Sequence, residues 1–297
     1  MSQLVQELKD LKAEKEFFIG FDSDGCVFDS MEIKQKECFC PAFVNNFDMQ
    51  GAAKATREVW EFVNLYSKTR GVNRFLAVLR AVDLLKERHE VIDRNIAVPS
   101  VAGLKAWTER ETKLGEATLV PEVENNPDPD LQRALGWSKD VTAAIKKIVR
   151  NLPPYPQVSG ILKTAVSRAD LMVVSQTPTA DLEREWAEHG IADFVRIIAG
   201  QERGTKSEHL AFAAVGKYDK EKILMIGDAP GDLKAAQANG VLFFPIIPGS
   251  EEQSWDRFRD EGLERFFSGT YAGNFQNDLL AAFDAALPEK APWEVNK

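Results

Sequence analysis

The chain has 297 residues, 44% of them hydrophobic and 28% charged, with a formal net charge of -9. This is the balance of a globular protein of one large domain or two ordinary ones, able to bury a core without disulfide or metal staples. The acidity argues against nucleic acid or an anionic membrane as partner, since both bind a basic face, and an anionic substrate would need positive charge concentrated at one place.

Leu4, Val5, Leu8 and Leu11 recur at helical spacing behind Ser2, a candidate N-cap, and predict an opening amphipathic helix. The apolar run FFIGF, 17–21, then breaks into Asp22-Ser23-Asp24-Gly25. A buried strand ending in an acidic, glycine-containing turn is how a site begins at the carboxyl edge of a parallel sheet. Helical patterns follow at about 51–68, 72–89, 100–113 and 138–150. Pro121, Pro127 and Pro129, mixed with Asn and Asp, predict a loop before the last of them. The proline-rich stretch NLPPYP, 151–156, reads as a domain boundary. Beyond it, helices at about 157–168, 179–189, 206–215 and 231–239 lead into strands at 171–175, 194–199, 222–227 and 241–246. This alternation predicts a parallel sheet covered on both faces. The strand at 17–21 needs that later sheet for partners. The helical stretch 30–150 therefore reads as an insertion into one α/β domain made of 1–29 and 151–297. No motif indicates a role for the tail after 250.

Four short segments can carry chemistry. Two aspartates two residues apart at a strand end, Asp22 and Asp24, can face one pocket, one as nucleophile toward phosphorus and the other as general acid and base. Gly25 permits the turn. Ser175-Gln176-Thr177-Pro178 follows the strand LMVV, where a hydroxyl and free N–H groups can hold phosphoryl oxygens, although such residues more often cap helices. Gly204-Thr205-Lys206-Ser207 places a lysine at a helix start, which itself favours anions. Gly227-Asp228-Ala229-Pro230-Gly231-Asp232 puts two more carboxylates on a tight turn, suited to a hard cation such as Mg²⁺.

In order and context these segments resemble the four motifs of the haloacid dehalogenase superfamily. Asp22 and Asp24 are similar to motif I, Ser175 to motif II, Lys206 to motif III, and Asp228 with Asp232 to motif IV; Cys26 stands where the family usually has threonine. The resemblance implies a Rossmann-like core with an inserted all-helical cap that closes over the site and sets substrate choice. It implies an aspartyl-phosphate on Asp22, with Asp24 protonating the leaving oxygen and then activating water. Mg²⁺ would be held by Asp22, the Asp24 carbonyl, Asp228 and Asp232, and the phosphoryl group by Ser175, Gln176 and Lys206. Electrostatics agrees with that assignment. Four aspartates against Lys206 leave three excess negative charges, and each like-charge pair at about 4 Å costs on the order of 4 kcal/mol at an effective dielectric near 20. A phosphate dianion needs a divalent cation to enter such a site.

The expected activity is therefore Mg²⁺-dependent hydrolysis of a small phosphorylated metabolite. A phosphomutase on the same scaffold is the alternative, and a non-catalytic phosphate-binding protein a more distant one. Carbon-centred dehalogenation would need neither Asp24 nor a metal. Arg70, Asn73 and Arg74, at a break between two helices of the insertion, are candidate substrate contacts. His89, His189 and His209 show no metal spacing and read as structural. The three cysteines, Cys26, Cys38 and Cys40, read as reduced thiols, since an odd number close in sequence makes no disulfide framework. With no apolar leader and no membrane-spanning stretch, the expected location is the cytoplasm.

Overall fold

The sheet explains why the apolar runs at 17–21 and after 169 are continuous rather than alternating. In the computed structural model, which describes residues 3–294, five parallel strands lie in the order β3-β2-β1-β4-β5. They are β1 (Phe17–Phe21), β2 (Ala169–Val174), β3 (Ile197–Ala199), β4 (Ile223–Gly227) and β5 (Leu242–Pro245). Every residue of β1, β2, β4 and β5 is buried, as a sheet covered on both faces requires. Successive residues of β1 feed opposite faces. Phe17, Ile19 and Phe21 join one hydrophobic cluster with Val158, Leu182, Trp186 and Trp255, whereas Phe18 joins another with Leu8, Leu210 and Ala236. The helices Val158–Ala165, Thr179–Glu188 and Glu251–Arg257 supply the first face. The helices Gln3–Asp10, Lys206–Ala213 and Pro230–Asn239 supply the second. The opening helix forms where its periodicity predicts it; Ser2, its candidate cap, lies outside the described residues.

The chain runs outward from β1 through β2 to β3, then returns to the other side of β1 as β4. Phe21 of β1 stands opposite Val173 of β2 and Ile226 of β4. The direction of winding thus reverses between β1 and β4. In doubly wound sheets the ligand crevice lies at the carboxyl ends of the strands at such a point.

Internal contacts divide the chain into two compact units. The first runs to Ser30 and resumes over Asn151–Leu287; the second comprises Met31–Arg150 and the described residues from Pro288. The second unit is helical, with no strand among its described residues. Its longer helices are Ala53–Asn64, Arg74–Lys86, Ala102–Arg110, Glu116–Asn125 and Pro129–Ile148. Phe43, Phe47, Phe75, Trp60, Trp107 and Trp137 form an aromatic core in which the Trp60 and Trp137 rings meet edge-on at 5.8 Å. Two details depart from the pattern reading. The loop expected around Pro121–Pro129 is shorter, because Pro121 sits inside a helix and Asp128 caps the next one, accepting from the Asp130 and Leu131 N–H groups with Pro129 at the first turn. The segment 30–46 is also helical, but a π-helical turn at Lys34–Phe39 and Pro41 interrupt it and erase a clean 3.6 period.

The last residues return to the second unit instead of continuing the first. Pro288 O accepts from the Lys68 N–H at 3.2 Å, Ala291 is fully buried, and the Trp293 ring lies 4.5 Å from the Arg88 guanidinium and edge-on to Phe62. Cys26, Cys38 and Cys40 are buried free thiols. No described helix is long and apolar enough to cross a membrane.

Candidate active site

The turn after β1 folds back on itself. The Asp22 N–H continues the ladder to Ile226 O at 2.9 Å, and the Val27 and Phe28 N–H groups then both donate to Ser23 O. Gly25, at φ +78°, lies in the left-handed region that lets its N–H reach Phe28 O at 2.8 Å. Asp22, 4% exposed, thus leaves the end of β1 at the winding reversal, and Asp228, 1% exposed, leaves the end of neighbouring β4. Asp232 enters from the first turn of the helix Pro230–Asn239, where its Oδ2 accepts from the Ala229 N–H at 3.0 Å. A Cβ on Gly227 would lie 2.5 Å from the Asp232 carboxyl carbon, so only glycine admits that approach.

Oxygens of Asp22, Asp228 and Asp232 all lie within 4.8 Å of one another, and all three residues are buried. Lys206 Nζ stands 2.8 Å from Asp22 and 2.5 Å from Asp232. It is the first residue of the helix Lys206–Ala213, fixed by a capping box in which Thr205 Oγ1 accepts from the Glu208 N–H and Glu208 accepts from the Thr205 N–H. One ammonium faces three carboxylates. Burial, aided by the charges of Asp232 and Asp228, pushes the Asp22 carboxyl well above its usual range although Lys206 pulls the other way. Burial disfavours the Lys206 ammonium too, but Asp22 and Asp232 outweigh it and raise its pKa. Three oxygen donors with a surplus of negative charge and no nitrogen or sulfur donor suit a hard dication.

Asp24 has a different environment. Thr177 Oγ1 donates to its Oδ2 at 2.6 Å, and the Ser30 hydroxyl donates to its Oδ1. Ser175 is held by its N–H on Ala199 O, and its Oγ accepts from the Thr177 N–H. The Gln176 amide donates to Gly204 O at 2.9 Å, tying the turn after β2 to the loop that precedes Lys206. The structure therefore gathers Asp22, Asp24, Ser175, Gln176, Lys206, Asp228 and Asp232 at the carboxyl edge of the sheet. The sequence pattern names Thr177 only within the Ser175–Pro178 segment and gives Ser30 no role, and neither is tied there to Asp24. A hydroxyl two residues after Ser175 was the available signal for the first; nothing in the pattern marks the second.

The three candidates from the second unit make contacts within that unit. Arg70 Nη1 donates to Leu65 O at 2.9 Å. Asn73 caps the helix Arg74–Lys86 through the Phe75 N–H and donates to Leu114 O. Arg74 lies over the Phe39 ring, donates to Ser138 Oγ at 3.1 Å and stands 3.7 Å from Glu116.

Residues 121–246 match the sequence profile of the haloacid dehalogenase-like hydrolases. That segment holds the Ser175, Lys206 and Asp228–Asp232 elements, and the sheet register delivers Asp22 and Asp24 to the same edge. Over that stretch the chain is similar to the haloacid dehalogenase-like hydrolases. A search of curated protein sequences returns no match. Among solved structures, this chain is similar to a predicted phosphatase from Clostridium acetobutylicum, at 14% identity and a TM-score of 0.46, over 84% of this chain and 100% of that one. It is also similar to a haloacid dehalogenase-like family hydrolase from Streptococcus pneumoniae, at 14% identity and a TM-score of 0.43, over 80% and 90% of the two chains.

Proposed function

We propose that this protein is a Mg²⁺-dependent phosphohydrolase acting on a small phosphorylated metabolite. The observation that carries the reading is the buried triad Asp22, Asp228 and Asp232 around Lys206, with Asp24 two residues beyond Asp22 and held by two hydroxyls. Asp22, Asp228 and Asp232 would hold the cation, joined by the carbonyl of Asp24. When bound, the cation supplies positive charge that lets a phosphate dianion enter and offsets charge building on the transferring group.

An Asp22 carboxylate oxygen attacks phosphorus in line with the ester bond, forming an aspartyl-phosphate as the P–O bond to the alcohol breaks. Asp24 gives its proton to the departing oxygen, then takes one from the water that attacks the same phosphorus. Phosphate leaves and Asp22 is restored. Thr177 and Ser30 fit both states of Asp24, because a hydroxyl can donate to a carboxylate and turn to accept from a carboxylic acid. Ser175, Gln176 and Lys206 would bind the phosphoryl oxygens.

These groups recognise features common to every phosphate monoester, so selection falls to the second unit, acting as a cap. Arg70, Asn73 and Arg74 remain the residues of that unit to test first. The reaction belongs in the cytoplasm, with no nucleic acid or membrane partner. The test is turnover of a panel of phosphate monoesters, with Mg²⁺ and with EDTA, by the protein and by Asp22→Asn. Mg²⁺-dependent release of inorganic phosphate that Asp22→Asn abolishes is expected. Phosphate moved to a second hydroxyl of the substrate without release would indicate a mutase; undiminished activity in Asp22→Asn would end the proposal.

A further inference from the structure

The turn that carries Asp22 and Asp24 rests on the hydrophobic cluster beneath it, which contains Phe21, Cys26, Val27 and Phe28 from the turn and its strand. Two tryptophans of that cluster point their only polar atom at the turn. The Trp186 indole N–H, from the helix Thr179–Glu188, donates to Ser23 Oγ at 3.1 Å. The Trp255 indole N–H, from the helix Glu251–Arg257, donates to Cys26 O at 2.8 Å. Trp186, Trp255, Ser23 and Cys26 are all fully buried. Ser23 separates the two aspartates, and Cys26 follows the left-handed Gly25 that reverses the chain. The indoles therefore grip the turn on either side of Asp24.

Their rings are themselves immobilised. Trp186 meets Phe28 edge-on at 6.1 Å, and Trp255 stacks on Phe21 at 6.4 Å. A buried acceptor that loses its donor seeks another, and here the turn would have to shift to find one. Asp24 sits on the part that would move, whereas Asp22 is anchored to β4 through its N–H on Ile226 O. We propose that Trp186 and Trp255 are positioning residues that hold the Ser23–Cys26 turn so that Asp24 faces the leaving oxygen. This rests on the phosphohydrolase reading above and extends it to residues outside the motifs.

The test compares two substrates in Mg²⁺: an alkyl phosphate, whose leaving oxygen needs the Asp24 proton, and an aryl phosphate with an acidic phenol, whose leaving group needs none. For Trp186→Phe and Trp255→Phe, kcat/KM is expected to fall on the order of 10–100-fold for the alkyl ester and several-fold less for the aryl ester. Leu182→Ala, on the same helix as Trp186 and in the same cluster, serves as a packing control; it is expected to lower Tm without changing the alkyl-to-aryl ratio. Ser23→Ala removes the acceptor while keeping the ring and carries the same test if Trp186→Phe does not fold. The double variant with Trp186→Phe is expected to be no worse than the poorer single one. Equal losses on both esters, or the same ratio change in Leu182→Ala, would overturn the positioning role while leaving the hydrolase reading intact. Failure of the unaltered protein to hydrolyse either ester would overturn both.

Discussion

Replacing Lys206 with methionine keeps most of the length of the side chain and removes its charge. Lys206 Nζ lies 2.8 Å from Asp22 and 2.5 Å from Asp232, both buried. At about 3 Å and an effective dielectric near 20, each attraction is of order 5 kcal/mol before desolvation is counted. Desolvation offsets much of it, and removing one partner of a buried pair costs roughly 3–5 kcal/mol because the remaining charges stay buried uncompensated. For a chain of this size about 1 kcal/mol moves Tm by about 2–4 °C, so Lys206→Met is expected to lower Tm by about 10 °C in EDTA. Mg²⁺ replaces the missing positive charge. It is therefore expected to raise Tm more in the variant than in the unaltered protein, while turnover is expected to stay lost because the proposed phosphoryl contact is gone. Thermal unfolding with and without metal measures both effects. Equal Tm values in EDTA would refute the view that Lys206 balances the carboxylates.

Asp24→Asn should slow both half-reactions yet leave Mg²⁺ affinity close to that of the unaltered protein, measured by calorimetry; an affinity loss as deep as in Asp228→Ala would remove the division of roles. His209 is fully buried, and burial, with the nearby Lys206 charge, pulls its imidazole down to about 4 from the ordinary 6.5. Its contribution to stability is thus present above pH 6.5 and lost as pH falls toward 4, because the unfolded chain takes up the proton first; across that window the effect is about 3 kcal/mol. His209→Leu should therefore show a smaller fall in Tm between pH 7.5 and 5 than the unaltered protein, and an identical fall would contradict this. Trp293→Ala, which empties the ring beside Arg88, should destabilise the second unit by about 1–3 kcal/mol, read as faster proteolysis or hydrogen exchange in the Ala53–Asn64 helix. Unchanged protection there would show that the tail does not brace it.

The sheet was legible because its strands are buried on both faces and so read as unbroken apolar runs, and β1 matched its reading at both ends. That Asp22, Asp24, Ser175 and Asp228 fall at one edge of the sheet was legible because each lies within three residues after a strand end, where chain order fixes location. Thr177 and Ser30 were not, since their role is a contact with Asp24 that no local pattern encodes. The same holds for Trp186 and Trp255, which are distant in sequence from Ser23 and Cys26 and meet them only through packing. Gln176 shows the converse limit. Its position is as read, but its amide donates to Gly204 O, a partner set by the loop before Lys206.

The docking of Pro288, Ala291 and Trp293 on the second unit adds a covalent link between the two units. An inserted unit is joined to its host by two backbone crossings, here at 30/31 and 150/151. Here the backbone crosses a third time, at 287/288. The second unit is thus not a removable cassette. A fragment cut at 31 and 150 would lack the ring that rests on Arg88.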